Sequence, residues 1–141
     1  MIATPHLLAG AAGALKARSA TGGLAIGVLT HLALDAVPHS DYRWGALGGL
    51  ALAGDLAAGT LAVCWLSGRS EVVLAGALGG ALPDAVRLAE RALGVTLTGC
   101  VHDTIHTDSR PSAWCSAAVQ GLTVVTAALV LRAAAARAQQ P

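Results

Sequence analysis

The stretch "GLAIGVLTHLALDAVPHS", residues 23–40, combines the features that decide how this chain folds. It opens with two glycines four residues apart, carries His31 and Asp35 in an otherwise apolar run, and reaches a proline at its end. The apolar run predicts a helix that ends at Pro38, since proline cannot continue a helix. The Gly23–Gly27 spacing is typical of helices whose backbones approach closely inside a membrane. The stretch therefore predicts a closely packed membrane helix that carries two ionisable side chains.

The composition of the whole chain agrees with a membrane setting. Its 141 residues are enough for one domain, and they are 55% hydrophobic and 12% charged. Soluble domains carry about 25% charged residues. The net charge of +1 gives no sign of a nucleic-acid partner. We therefore expect an integral membrane protein whose partner is the lipid bilayer, which binds no nucleic acid and for which a homo-oligomer stays open.

Apolar segments divided by short polar stretches indicate an all-α fold. A spanning helix needs about 20 apolar residues, and the last four segments have that length or nearly so. The first is short, so it is a tilted span, a re-entrant helix or a half-buried start. We predict an integral membrane bundle of four to five closely packed helices, with 1–137 as a single transmembrane domain and 138–141 as a short tail. The glycine spacing recurs at 45–49 and 76–80 and predicts tight internal packing. The segments are Ile2–Leu15, Ala20–Val37, Trp44–Leu66, Val72–Leu93 and Ala113–Leu131.

The ionisable side chains gather at one side of this predicted bundle. When every segment crosses the bilayer, the start of the first segment, the end of the second and the loop after the fourth face the same side. Asp55 and Asp84 lie inside the third and fourth segments and approach that side too. One site built from several helix ends explains this sorting better than scattered polar defects do. The residues gathered there are His6, His31, Asp35, His39, Asp55, Asp84, His102 and His106.

The residue types and spacings within this set predict a metal site. His31 and Asp35 are four residues apart and stack on one helix face, and His102 and His106 have the same spacing. Two or three histidines with one or two aspartates resemble a catalytic zinc site that keeps one position for water. Such a metal lowers the pKa of its water toward about 7 and supplies hydroxide. We expect a divalent metal ion, zinc before manganese or iron, held by His6, His31, Asp35, His102 and His106.

Four further residues are assigned to catalysis or to substrate binding. Asp84 follows Pro83, whose ring frees backbone carbonyls in a helix. Asp84 and Asp55 are therefore the candidate general bases or additional ligands, although Asp55 can instead make an interhelical hydrogen bond. Arg110 can hold a phosphate through bidentate hydrogen bonds. His39 is the second candidate for substrate binding.

These motifs together resemble those of bacterial membrane-bound metal-dependent hydrolases, the group classed as domain of unknown function 457. The similar blocks are "TPHLLAG", "HLALDAVPHSDY", "GGALPD" and "HDTIHTDSRP", which cover the chain up to about Pro111. That group is proposed to be related to zinc-dependent phospholipase C. The resemblance implies phosphoester hydrolysis at the bacterial inner (plasma) membrane. It also implies that the metal ligands or their immediate partners are His6, His31, Asp35, Asp84, His102 and His106.

The sequence therefore predicts a membrane-embedded metal-dependent hydrolase that acts on a phosphoester, with a lipid or a lipid-linked molecule as the expected substrate. Two alternatives stay open. The first is a non-catalytic membrane protein that binds or moves a metal ion or a proton, although the apolar opposite half of the bilayer counts against transport. The second is a structural scaffold whose histidine–aspartate pairs only hold helices together.

Overall fold

The computed structural model describes residues 2–40, 46–68, 70–96 and 111–140. Within those ranges the chain is all-helical, so the predicted fold class is confirmed. A short 3-10 turn follows the first helix. The elements are α1 (Ala3–Gly13), the 3-10 turn (Ala14–Lys16), α2 (Ala20–Asp35), α3 (Ala46–Leu66), α4 (Glu71–Leu93) and α5 (Ala113–Ala138).

Local sequence signals explain where these helices begin and end. The hydroxyl of Ser19 accepts a hydrogen bond from the Gly22 amide at 3.1 Å, which satisfies a free N–H at the start of α2. That helix ends shortly before Pro38, as the sequence predicts. The last turn of α4 closes on Gly94, whose φ of 66° lies in the left-handed region that favours glycine.

Among the described residues, three helices are long and apolar enough to cross a membrane: α3 from Gly48 onward, α4 and α5. Leucines such as Leu50, Leu78 and Leu129 point outward from them and are 60–72% exposed. Apolar side chains on the outside suit a lipid environment, and the chain is an integral membrane protein. The predicted four or five spans are therefore reduced to three helices of spanning length. With 16 and 11 residues, α2 and α1 reach only about 24 and 17 Å.

The short helix α1 lies at the centre of the bundle and contacts each of the other four helices. Seven of its eleven residues are buried. Its Leu8 belongs to the hydrophobic core together with Val63 of α3 and Leu131 of α5. Its first turn is held by α3, because the Thr4 amide donates to Asp55 Oδ2 at 2.9 Å. The three predicted options for the first segment are a tilted span, a re-entrant helix and a half-buried start, and in the structure most of α1 is buried inside the bundle.

Glycines let α1 and α2 approach the backbone of α4. A Cβ added to Gly27 of α2 would lie 2.8 Å from the backbone nitrogen of Gly80. A Cβ added to Gly10 of α1 would lie 3.1 Å from the Cα of Gly80. Both positions are too close for a side chain, so the contact is backbone against backbone. The predicted close packing at 23–27 and at 76–80 is confirmed.

The third glycine repeat, at 45–49, has a different environment. A Cβ on Gly49 would meet no atom of the described residues within 4 Å. Instead, α3 packs on α1 through Gly59, where a Cβ would lie 2.7 Å from Leu7 Cδ1. The expectation of tight packing is therefore wrong at Gly49, because the part of α3 that carries it lies beyond the start of α1.

Within the part of the chain that the structure describes, α3, α4 and α5 extend beyond the start of α1 and the end of α2 at one end of the bundle, and we call the region that they surround there the recess. The start of α1 is level with Asp55 of α3 and with Gln120 of α5. From those residues α3 continues for about 14 Å and α5 for about 10 Å, and α4 continues for about 14 Å past Asp84. The ends of the three spanning helices therefore surround the start of α1 and the end of α2. These two ends form the floor of the recess.

Candidate metal centre

The carboxylate of Asp35, at the end of α2, lies among three imidazoles. Its Oδ2 is 3.0 Å from His31 Nε2, and its Oδ1 is 3.3 Å from His6 Nε2 and 3.9 Å from His39 Nε2. The rings of His6 and His31 are stacked, with centroids 4.0 Å apart. His6, His31 and Asp35 are at most 2% exposed. The predicted convergence of distant histidines on one aspartate is therefore present on the floor of the recess.

Backbone carbonyls fix the tautomers of two of these rings. His31 Nδ1 lies 2.7 Å from the carbonyl oxygen of Gly80, and His39 Nδ1 lies 2.6 Å from that of Val37. A carbonyl only accepts hydrogen bonds, so Nδ1 carries the proton in both rings. In a neutral ring, Nε2 then presents a lone pair toward the carboxylate of Asp35. Two imidazole nitrogens and a carboxylate that face one another can share a cation, either a metal ion or an additional proton.

The third ring, that of His6, also contacts the carboxylate, since its Nε2 lies 3.3 Å from Asp35 Oδ1. Its Nδ1 is buried and has no hydrogen-bond partner within the described ranges. A buried polar atom without a partner costs about 1–3 kcal/mol. A metal ion could bind the ring through Nε2.

Asp84 completes a donor group. Ligand atoms of His6, His31 and Asp84 all lie within 4.8 Å of one another. Asp84 Oδ1 is 3.7 Å from His31 Nε2, and its side chain is 47% exposed, so it faces the recess. Tetrahedral zinc with ligands at 2.0–2.1 Å has neighbouring ligand atoms about 3.3–3.4 Å apart. The residue types suit a zinc-like ion, and His31 Nε2 and Asp84 Oδ1, which are 3.7 Å apart, would have to approach each other by about 0.3–0.4 Å to hold one.

The motif "GGALPD" of α4 places Gly80 and Asp84 beside the donor group. Gly80 and Asp84 are four residues apart and share one face of the helix. A Cβ on Gly80 would contact the carbonyl of His6, so glycine allows α1 to approach while its own carbonyl orients His31. Pro83 has no amide proton, so the carbonyl of Gly79 lacks its usual donor in the helix.

Two polar residues of α5 support the floor of the recess, and the sequence analysis missed both. Gln120 Oε1 accepts a hydrogen bond from the Ile2 amide at 3.0 Å, and its Nε2 donates to Ser116 Oγ at 2.8 Å. Ser116 Oγ also accepts from the Ser40 amide at 2.8 Å. These bonds tie the start of α1 and the segment after α2 to a single helix. In the sequence, the sign of this role is that Gln120 carries a side-chain amide inside an otherwise apolar segment.

A buried acidic residue beyond Asp84 was missed as well. Glu90 of α4 is 2% exposed, and its Oε2 lies 3.5 Å from Nη1 of Arg87. The sequence gives no clear sign that this glutamate is buried, because both residues resemble the polar end of a membrane helix. Arg87 lies one turn beyond Asp84 and is the cation that the described part of α4 brings nearest in sequence to the donor group.

The structure places the predicted site residues in three groups. Asp55 has a structural contact, because its Oδ2 accepts the Thr4 amide and its backbone carbonyl accepts the Thr4 hydroxyl at 3.0 Å. The interhelical hydrogen bond considered for it is therefore present. Three predicted residues, His102, His106 and Arg110, lie outside the described residues. The residues brought together on the floor of the recess are His6, His31, Asp35, His39 and Asp84.

Comparisons with known proteins add no identity to this geometry. No protein family, curated protein or solved structure that was compared matches the chain. The resemblance to bacterial metal-dependent hydrolases therefore stays a prediction. The recess and the side chains at its floor are therefore the features of the molecule that indicate its function.

Proposed function

We propose that this chain is a metal-dependent hydrolase of the bacterial inner membrane that cleaves a phosphoester of a lipid or of a lipid-linked molecule. The observation that supports the proposal is the arrangement around Asp35. Lone pairs of His31 and His39 face its carboxylate because their Nδ1 protons are directed to backbone carbonyls. Such a group can bind a cation, and among metal ions zinc is the best candidate, with manganese or iron as alternatives.

In this proposal the residues at the floor of the recess have different roles. His6, His31 and Asp84 hold the ion, since their ligand atoms form one compact group. Asp35 balances the charge of the ion and holds the imidazoles of His6 and His31 in place through its contacts at 3.3 and 3.0 Å. The carbonyl of Gly80 fixes the tautomer and orientation of His31, which is the usual task of a hydrogen-bond partner behind a metal ligand. His102 and His106 stay predicted ligands.

The recess suits a reaction at a phosphate group. A zinc-like ion in such a site lowers the pKa of a bound water toward about 7, so that a nucleophile is present at neutral pH. Asp84 faces the recess and can accept the proton that this water loses. Arg110 stays the predicted phosphate contact, because Arg87, one turn along α4, is already paired with the buried Glu90.

Transport of the ion is disfavoured by the packing on the opposite side of the site. There, α1 and α2 lie against α4 through glycines at Gly10, Gly23, Gly27 and Gly76, with backbone atoms in direct contact. No titratable side chain is buried among these contacts within the described ranges. A carrier requires polar groups that lead to both faces, and this packed region supplies none.

Metal content tests the first half of the proposal. The protein purified in detergent should contain about one zinc, manganese or iron ion per chain, measured by inductively coupled plasma mass spectrometry. His31→Ala and Asp84→Asn should lose the ion. The matched control is Glu90→Gln, which changes a buried carboxylate of the same helix outside the donor group and should keep the ion. A protein that folds and never binds a metal would overturn the proposal.

Hydrolysis tests the second half. The metal-loaded protein should cleave bis-p-nitrophenyl phosphate or p-nitrophenyl phosphate, and both site variants should lose this activity while Glu90→Gln keeps it. A stoichiometric ion without hydrolysis of these substrates or of phospholipid vesicles would indicate the non-catalytic alternative. Equal activity in all variants would indicate a contaminating enzyme.

A further inference from the structure

An open groove of about 350 Å³ runs between α1 and α5. This size lies within the range of about 300–1,000 Å³ that is usual for ligand pockets. The hydroxyl of Thr123 donates to the carbonyl of Val119 at 2.9 Å, so this polar group is satisfied inside its own helix. The walls are therefore mainly apolar. The lining residues are Ala9, Ala12, Leu122, Thr123, Thr126, Ala127 and Val130.

The groove begins close to the metal centre. Ala9 follows His6 by one turn of α1, and Thr123 follows Gln120 by one turn of α5. At 1.5 Å per residue, the first lining residue lies about 5 Å farther along α1 than His6. From there the groove continues away from the recess. A molecule with its polar end at the donor group can thus place an apolar chain along the groove.

The surroundings of the groove favour an acyl chain over other occupants. α5 is one of the spanning helices, and Leu122 and Leu129 beside the groove are 69% and 62% exposed toward the lipid. A water-soluble ligand does not reach this region. Leu122 and Val130 line the groove and are 69% and 41% exposed, so an acyl chain of the bilayer can contact its wall directly.

We infer that the groove holds one acyl chain of a phosphate-bearing membrane lipid, which enters sideways from the bilayer and brings its head group to the donor group. The assignment of that lipid as the substrate depends on the proposed function, whereas the binding of the chain does not. Because lipid tails are as apolar as leucine, the groove gains little hydrophobic free energy. Its effect is to fix the position and depth of the head group.

Photo-crosslinking tests the inference with the full chain in nanodiscs of phosphatidylethanolamine and phosphatidylglycerol. The probe is phosphatidylglycerol with a diazirine in the middle of one acyl chain, and labelled residues are located by mass spectrometry. Label should concentrate on the groove residues of α1 and α5. Thr126→Trp fills the groove and should reduce this label several-fold. The control Val125→Trp changes the neighbouring residue, which is 55% exposed and does not line the groove, and should leave the label unchanged.

Two further measurements separate this inference from the proposed function. In His31→Ala, which should lose the ion, groove labelling should persist. Thr126→Trp should raise KM for a long-chain phospholipid and leave the hydrolysis of p-nitrophenyl phosphate unchanged. Label spread evenly over all lipid-facing helices, equal label in the two tryptophan variants, or crosslinks between two copies across the groove would overturn the inference even if the metal centre were active.

Discussion

Replacing Gly27 by alanine should move α2 away from α4 and weaken metal binding one turn farther along the helix. A Cβ at this position would lie 2.8 Å from the nitrogen of Gly80 and 2.9 Å from the Cα of Gly79. Both are backbone atoms and cannot rotate out of the way. Ordinary contacts begin at 3.4 Å, and the carbonyl oxygen of Gly76 lies nearer to this Cβ than either of those atoms, so α2 has to retreat by at least about 0.6 Å.

This retreat reaches the metal centre because His31 follows Gly27 by four residues on the same helix face. The 2.7 Å bond from His31 Nδ1 to the Gly80 carbonyl would lengthen to about 3.3 Å, beyond the usual 2.7–3.2 Å. Loss of a hydrogen bond behind a metal ligand costs about 10–100-fold in metal affinity. Overpacking between the helices costs a further 1–3 kcal/mol or so of stability.

Zinc affinity measured against a competing chelator, together with the free energy of unfolding in mixed micelles, tests this reasoning. The matched control is Gly49→Ala, because a Cβ there meets nothing within 4 Å. The control should bind zinc as the unchanged protein does and be no less stable. If Gly27→Ala matched this control in both measurements, the close approach of α2 to α4 would not set the geometry of the site.

Changes at two positions test the contacts that hold α1 at the floor of the recess. Asp55→Ala should lower the free energy of unfolding by about 0.5–2 kcal/mol, since it removes the acceptor for the Thr4 amide at the start of a helix. The control Asp55→Asn keeps an acceptor and should keep both stability and hydrolysis. A selective loss of hydrolysis in Asp55→Asn would instead favour the predicted catalytic role. Gln120→Leu should cost about 1–3 kcal/mol, because the Ile2 amide and the Ser116 hydroxyl lose a partner, and unfolding that matched the unchanged protein would show that these bonds add nothing.

The sequence predicts the fold as far as local patterns determine it. The apolar runs predict helices, and the glycines at 23–27 and 76–80 predict where backbones meet. The role of α1 is not predictable in this way, since an eleven-residue apolar segment can span, re-enter or be buried. What decides it is the set of neighbours that surround it, and those contacts are long-range. The same limit explains Gly49, which has the same spacing but, among the described residues, no atom within 4 Å of an added Cβ.

The candidate site, too, is predictable where it depends on local spacing and not where it depends on long-range contacts. The i, i+4 spacing predicts that His31 and Asp35 share a face, and the distance of 3.0 Å between their side chains agrees. The partner of Asp55 could not be foreseen, because it is a backbone amide and every residue except proline carries one. Gln120 was missed for a related reason. A single amide in an apolar helix signals a buried hydrogen bond but does not say to which helix.

A scaffold that only holds helices together is the remaining alternative, and the energetics of buried charge allow a decisive test. An ionisable residue at membrane depth costs about 2.5–3.5 kcal/mol on insertion scales, and replacing a whole buried ionic group by apolar residues is often neutral or stabilising by about 1–4 kcal/mol. Removing one partner is instead destabilising by about 3–5 kcal/mol, because a charge stays buried without compensation. The triple change His6→Leu, His31→Leu and Asp35→Leu should therefore be more stable to unfolding than His31→Leu alone, while it loses the metal. A scaffold requires the opposite order, since each added leucine would remove another contact between helices.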